Sequence, residues 1–179
     1  MSKAFTRDGQ DDGTRVVPPR AALPEGVPNY VTASGLRALR SEHEALARER
    51  AAAEGRDADD SERARSLAIL GDRLAALDDR IATAELVAMT APDPAQVRFG
   101  ATVVLRDEHH EERTYRIVGV DEADVEHGSL AFVAPLARAL LGHVEGDVVR
   151  VRTPRGHEDV TLVAVRYERD ATPAVEALG

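Results

Sequence analysis

The chain has 179 residues, room for one ordinary domain or two small units. Aromatic residues make up 3% with no Trp, and the formal charge is −9. Base stacking and phosphate binding are both disfavoured, so independent sequence-specific nucleic-acid binding is not expected. The absence of Cys excludes disulfides and thiolate metal sites. No apolar run approaches the roughly 20 residues of a membrane span, so a cytoplasmic protein without a membrane partner is expected.

Residues 1–29, with "DGQDDGT" and "VVPPRAALPEGVPN", are rich in Asp, Gly and Pro and lack periodicity. They are predicted to be a disordered N-terminal arm, since so little apolar surface cannot offset the entropy of ordering. Residues 30–90 are predicted to form an antiparallel helical hairpin of coiled-coil type. Leu36, Leu39, His43, Leu46, Arg50 and Ala53 alternate spacings of three and four, and Leu67, Leu70, Leu74, Leu77, Ile81, Ala84 and Ala88 repeat the pattern beyond Gly55. Two such stripes joined by a short polar turn are best buried against each other, which makes a monomer the default.

"TAPDPAQ" ends the helical pattern and marks a linker over 91–97. From 98 to 169, "ATVVLRD", "ERTYRIVGV", "LAFVAP", "GDVVRVRTP" and "EDVTLVAVRYE" read as strands, and "PLARALLGH" as one short helix opened by Pro135. Residues 170–179 are expected to be a flexible tail. The predicted class is α+β: a helical hairpin followed by a small β-rich domain with one short helix.

The hairpin turn, "EGRDADDSER", holds five carboxylates, Glu54, Asp57, Asp59, Asp60 and Glu62, against two arginines. Two readings stand open. Asp59 or Asp60 can cap the second helix, with Glu62 completing a capping-box-like arrangement and complementing the helix dipole. Alternatively, the carboxylates supply oxygen ligands to a hard cation such as Mg²⁺. That ion takes only one or two protein carboxylates and fills its remaining positions elsewhere, so a tip of this kind suits a site completed by another molecule.

"YVTASGLRALRSEHEAL" resembles the opening of the Gre transcription elongation factors, and "FGATVVL", "YRIVGVDEAD", "PLARALLG", "GDVVRVRTP" and "VRYE" follow in that family's order. "KAFTRD" with the Pro-rich arm is similar to GreB-like members. The resemblance covers about residues 30–169 and implies an FKBP-like C-terminal domain docked at the RNA polymerase secondary channel, with the hairpin reaching inward. It implies that Asp57, Asp59, Asp60 and Glu62 act in trans on the extruded nascent RNA 3′ end. Asp59 and Asp60 would then contact a Mg²⁺ shared with the polymerase, with no cofactor of the protein's own and no independent enzyme activity. The implied polymerase-binding segment is Val133, Ala134, Pro135, Leu136 and Arg138.

Three departures from the family pattern bear on this. The family's tip Asp and Glu stand three residues apart; one register places Asp60 and Arg63 there, the other Arg56 and Asp59. The hairpin is shorter, by about three residues per arm or roughly 5 Å. Val133 and Ala134 replace an acid and a hydroxyl before Pro135. These favour as the alternative a non-cleaving channel regulator similar to Rnk or inhibitory Gre homologues.

The six histidines lack the ordered spacing of a zinc motif. The acidic run "GVDEADVEHG", residues 119–128, lacks calcium-loop spacing and is expected to be a solvated loop.

Overall fold

Thr32 turns the chain from strand to helix. Its backbone is extended, and its hydroxyl accepts from the Gly35 N–H at 3.0 Å, so one of the otherwise unsatisfied first-turn amides is bonded. In the computed structural model, which describes residue 20 and residues 22–55, 59–87, 95–153 and 156–167, helix α1 runs Ala33–Glu54 and α2 runs Asp60–Ala82. The helices bury Leu39, Leu46 and Ala53 against Leu70, Leu74 and Leu77, with Leu36, Leu67 and Ile81 packed at the margins. Each helix therefore spends its apolar stripe on the other, as the spacing predicts.

Two seam positions differ from a plain apolar stripe. His43 is half-buried, with Nε2 3.0 Å from Asp78 Oδ1 across the hairpin. Arg50 is exposed and pairs with Glu54 at 3.5 Å, because a guanidinium buried without a partner would carry a large desolvation cost.

The second stripe is predicted to continue to Ala88, but α2 stops at Ala82. The side chain of Asn29, itself buried, donates to the Arg80 carbonyl at 2.8 Å and to Thr83 Oγ1 at 3.1 Å, while the Thr83 hydroxyl donates back to the Asp79 carbonyl at 2.7 Å. With the last-turn carbonyls taken, Ala84–Leu86 becomes a strand, β2, paired in parallel with β1, Asn29–Val31. Ala88 lies outside the described residues, as do residues 91–94 of the linker.

The remaining elements are β3 (Thr102–Arg106), β4 (Glu112–Val118), β5 (Ser129–Ala131), α3 (Pro135–Leu140), β6 (Val148–Thr153) and β7 (Gly156–Arg166). They form one sheet in the order β5-β4-β3-β7-β6, antiparallel except for the β4–β5 pair. Alternate residues point inward: Val103 and Leu105, Ile117, Leu130, Val149 and Val151, and Val160, Leu162 and Val165 meet Ala137 and Leu140 of α3. Tyr30, Phe99 and Phe132 form a cluster with ring centroids 5.4–5.9 Å apart, joining the hairpin base to the β domain. Three of the chain's six Phe and Tyr residues are committed there, leaving few for any base-stacking surface.

Gly71 sits inside α2, and a Cβ placed on it meets nothing within 4 Å. Gly71→Ala is expected to stabilise the protein by about 0.5–1 kcal/mol, through helix propensity and a less flexible unfolded chain. Urea titration would read this as a higher midpoint at unchanged slope; a midpoint at or below that of the wild type would refute it.

Candidate functional site

At the tip, α2 begins at Asp60 with Asp59 as its N-cap residue. The Asp59 side chain makes no cap hydrogen bond to the helix. Instead its Oδ2 accepts from the Ser61 hydroxyl at 3.0 Å. Asp60 forms an ion pair with Arg63, and Asp59, Asp60 and Glu62 are all exposed. Asp57 lies outside the described residues.

The expected capping role is thus not taken up by the Asp59 side chain, and the oxygen atoms face outward. Among the described residues, no three His, Cys, Asp or Glu side chains converge as a group able to hold a metal ion. Two or three exposed carboxylates on one helical turn, with oxygen the only donor, fit partial coordination of Mg²⁺. Among the described residues, none at the tip encloses such an ion.

The candidate docking segment enters and opens α3. Ala134 precedes the helix with an extended backbone, and Pro135 occupies the first turn, where its missing N–H costs nothing. Pro135 and Arg138 are exposed and Val133 is half-exposed, whereas Ala134 and Leu136 pack against the sheet core. The segment therefore offers one cation and a small apolar face to a partner, and two of its five residues are partly used for packing.

A third cluster was not anticipated from sequence. Val120–Glu122, expected within a solvated loop, forms a 3₁₀ turn inserted between hairpin and sheet, and the Asp121 side chain is only 4% exposed. Glu122 accepts from the Thr32 N–H at 3.0 Å, from the Thr32 hydroxyl, and from the Gly119 N–H at 3.3 Å. Asp121 accepts from Arg20 at 2.8 Å and lies 3.5 Å from Arg80 Nε. Arg20, expected within a disordered arm, also donates to Glu42 at 2.5 Å. Partial burial works against the Arg20 charge, but its bonds to Asp121 and Glu42 outweigh this and hold its pKa above the ordinary arginine value.

Residues 91–167 match the family model described as "Transcription elongation factor, GreA/GreB, C-term". Over 97 residues the chain is 41% identical to a protein named transcription elongation factor GreA from Hyphomonas neptunium, and over 96 residues it is 45% identical to the GreA of Chelativorans sp.. Residues 91–167 are therefore similar to the GreA/GreB C-terminal domain. The aligned stretches cover 54% and 53% of this chain, but only 62% and 61% of those two relatives. Among solved structures, the GreA factor homolog 1 (Gfh1) of Thermus thermophilus aligns over 78% of this chain and 99% of its own at 23% identity and a TM-score of 0.38. A GreA/GreB factor from Nitrosomonas europaea aligns over 77% and 98% at 25% identity and a TM-score of 0.40.

No helix among the described residues is long and apolar enough to cross a membrane. Three turn carboxylates of the C-terminal domain sit below the usual carboxylate range. The Glu111 and His109 amides hold Asp107 down, the His127 side chain and amide hold Asp124 down, and the Val144 amide with the His143 ring holds Asp147 down. A carboxylate whose pKa is depressed on folding stabilises above its unfolded value, about 3.9, and loses that contribution as the pH falls through its folded pKa. Melting temperature is therefore expected to drop as acid is added below about pH 4. Asp147→Asn should make that drop shallower; an unchanged drop would show that Asp147 does not contribute to it.

Proposed function

We propose that this protein is a Gre-type, GreB-like transcription elongation factor. It docks on RNA polymerase through its C-terminal domain, presents the hairpin tip in the secondary channel and stimulates cleavage of backtracked transcripts. The observation that carries this reading is the state of the tip carboxylates: Asp59, Asp60 and Glu62 stand exposed at the far end of a stiff hairpin, and Asp59 is not consumed as a side-chain cap.

Helix α1, with 22 residues, reaches about 33 Å from the body, enough to enter a channel that a globular domain could not. A Mg²⁺ bound jointly with the polymerase would supply charge neutralisation at the scissile phosphate and a more acidic bound water. The chain's own residues do the rest. Asp59 and Asp60 offer oxygen donors, Glu62 on the same turn can accept a proton from a positioned water, and the buried leucine seam keeps the three in fixed relation.

A second reading, channel occupancy without cleavage, draws on the ion pair between Arg63 and Asp60, which places a cation against one of the required oxygen donors. The two separate in one assay on a backtracked elongation complex, with transcript length followed over time. Faster shortening supports cleavage. Unchanged shortening with slowed nucleotide addition selects the second reading, and failure of the full chain to bind polymerase at micromolar concentration ends both.

A further inference from the structure

We propose that Arg20 is a positioning residue for the hairpin tip: its guanidinium is a strut that sets the angle between the hairpin and the β domain. The role in positioning rests on the reading of the tip as the acting end. The lock itself stands on geometry.

The start of α1 is fixed to the domain where Glu122 binds the Thr32 N–H and hydroxyl and where Tyr30, two residues earlier, packs on Phe99 and Phe132. The end of α2 approaches the neighbouring residue through Arg80 and Asp121. All of these contacts lie at the base, and a stiff arm held only at its base can still swing. Beyond them α1 and the sheet do not close-pack: a cavity of about 290 Å³ separates them, lined by residues including Ser34, Ala38, Arg116 and Ser129.

Arg20 spans this gap. One end of its fork donates to Asp121 on the domain at 2.8 Å and the other to Glu42 on α1 at 2.5 Å. Glu42 lies nine residues beyond Ala33, about 14 Å along the helix from the pivot, so the strut acts on a lever arm that the base contacts lack. A planar guanidinium with two diverging pairs of donors suits this role, whereas an ammonium on a flexible stem does not hold two carboxylates in fixed directions. Swinging the hairpin by about 10° would carry the tip through about 6 Å, far outside the roughly 2 Å at which Mg²⁺ accepts a ligand.

Because the chain contains no Cys, Ala64→Cys on the hairpin and Glu108→Cys on the β domain can each carry a spin label in the full-length protein, and pulsed dipolar spectroscopy gives the distribution of distances between them. With Arg20 present a single narrow distribution is expected. In Arg20→Ala it should broaden or shift its mean by about 5 Å. Arg20→Lys should fall between, and Glu42→Ala with Arg20 intact should resemble Arg20→Ala. A distribution unchanged by Arg20→Ala overturns the proposal, and so does a lowered melting temperature with no change in distance, which would mark Arg20 as merely stabilising. Since the measurement uses the free protein, it does not depend on the proposed function. A shifted distance with undiminished transcript cleavage would uphold the strut and count against the tip reading.

Discussion

Replacing Asp59 and Asp60 together with Ala is expected to lower stimulated transcript cleavage by about 10²-fold while leaving polymerase binding intact. The magnitude is that of removing a positioned electrostatic contact, or of displacing a reacting group by about 1 Å. The separation between activity and binding follows from placement: both carboxylates are exposed, at the opposite end of α2 from the β domain, and neither supports the leucine seam. Loss of cleavage should therefore come without loss of folding or docking. Quenched-flow measurement of cleavage beside a competition binding assay would check both halves. Equal loss in the two assays would mean that the tip contributes contacts rather than chemistry, and retained cleavage would remove these carboxylates from the mechanism.

Gly35→Ala is expected to destabilise the protein by about 2–4 kcal/mol, the opposite sign to Gly71→Ala. Both glycines lie within helices, and Ala is intrinsically the better helix former by about 1 kcal/mol. The difference lies in what surrounds them. A Cβ on Gly35 would stand 2.1 Å from Glu122 Cδ and 2.3 Å from Oε1. Glu122 is flexible in principle, but its carboxylate is committed to Thr32 and Gly119, so yielding breaks charge-assisted hydrogen bonds and leaves the buried Thr32 N–H without its acceptor. Bonds of that kind contribute about 1.5–3 kcal/mol each, and a buried orphan amide costs about 1–3 kcal/mol, which together outweigh the propensity gain. Calorimetry should show a melting temperature lower by several degrees. The double variant Gly35→Ala/Glu122→Ala should be no less stable than Glu122→Ala alone, because the clash is absent once the carboxylate is gone. If Gly35→Ala melts with the wild type, the close approach is not what holds the hairpin to the domain.

These two sites differ in how far the amino-acid sequence reveals them. The acidic tip is legible because its residues are neighbours along the chain: five carboxylates within nine positions, bracketed by leucine stripes, form a local pattern. The same holds for the helices, whose seam leucines pack as their spacing predicts, and for the strands of the sheet, where alternating Val and Leu set the buried face. In each case the signal comes from a short-range period, because helix and strand geometry repeat over a few residues.

The sequence by itself therefore determined a hairpin with a polar, acidic tip, a following β-rich domain, and a resemblance to the Gre factors. It could not determine how these pieces meet. Arg20, Thr32, Gly35, Glu42, Arg80, Asp121 and Glu122 come from three separate stretches of chain, and each taken alone looks like an ordinary surface charge, cap or glycine. Only the folded chain gives Asp121 and Glu122 their partners, stops α2 at Ala82 with a side chain from Asn29, and turns Arg50 out to solvent. The physical reason is that a charge leaves water only where a counter-charge and hydrogen bonds are already in place, and whether they are depends on contacts between residues far apart along the chain, which no local pattern encodes.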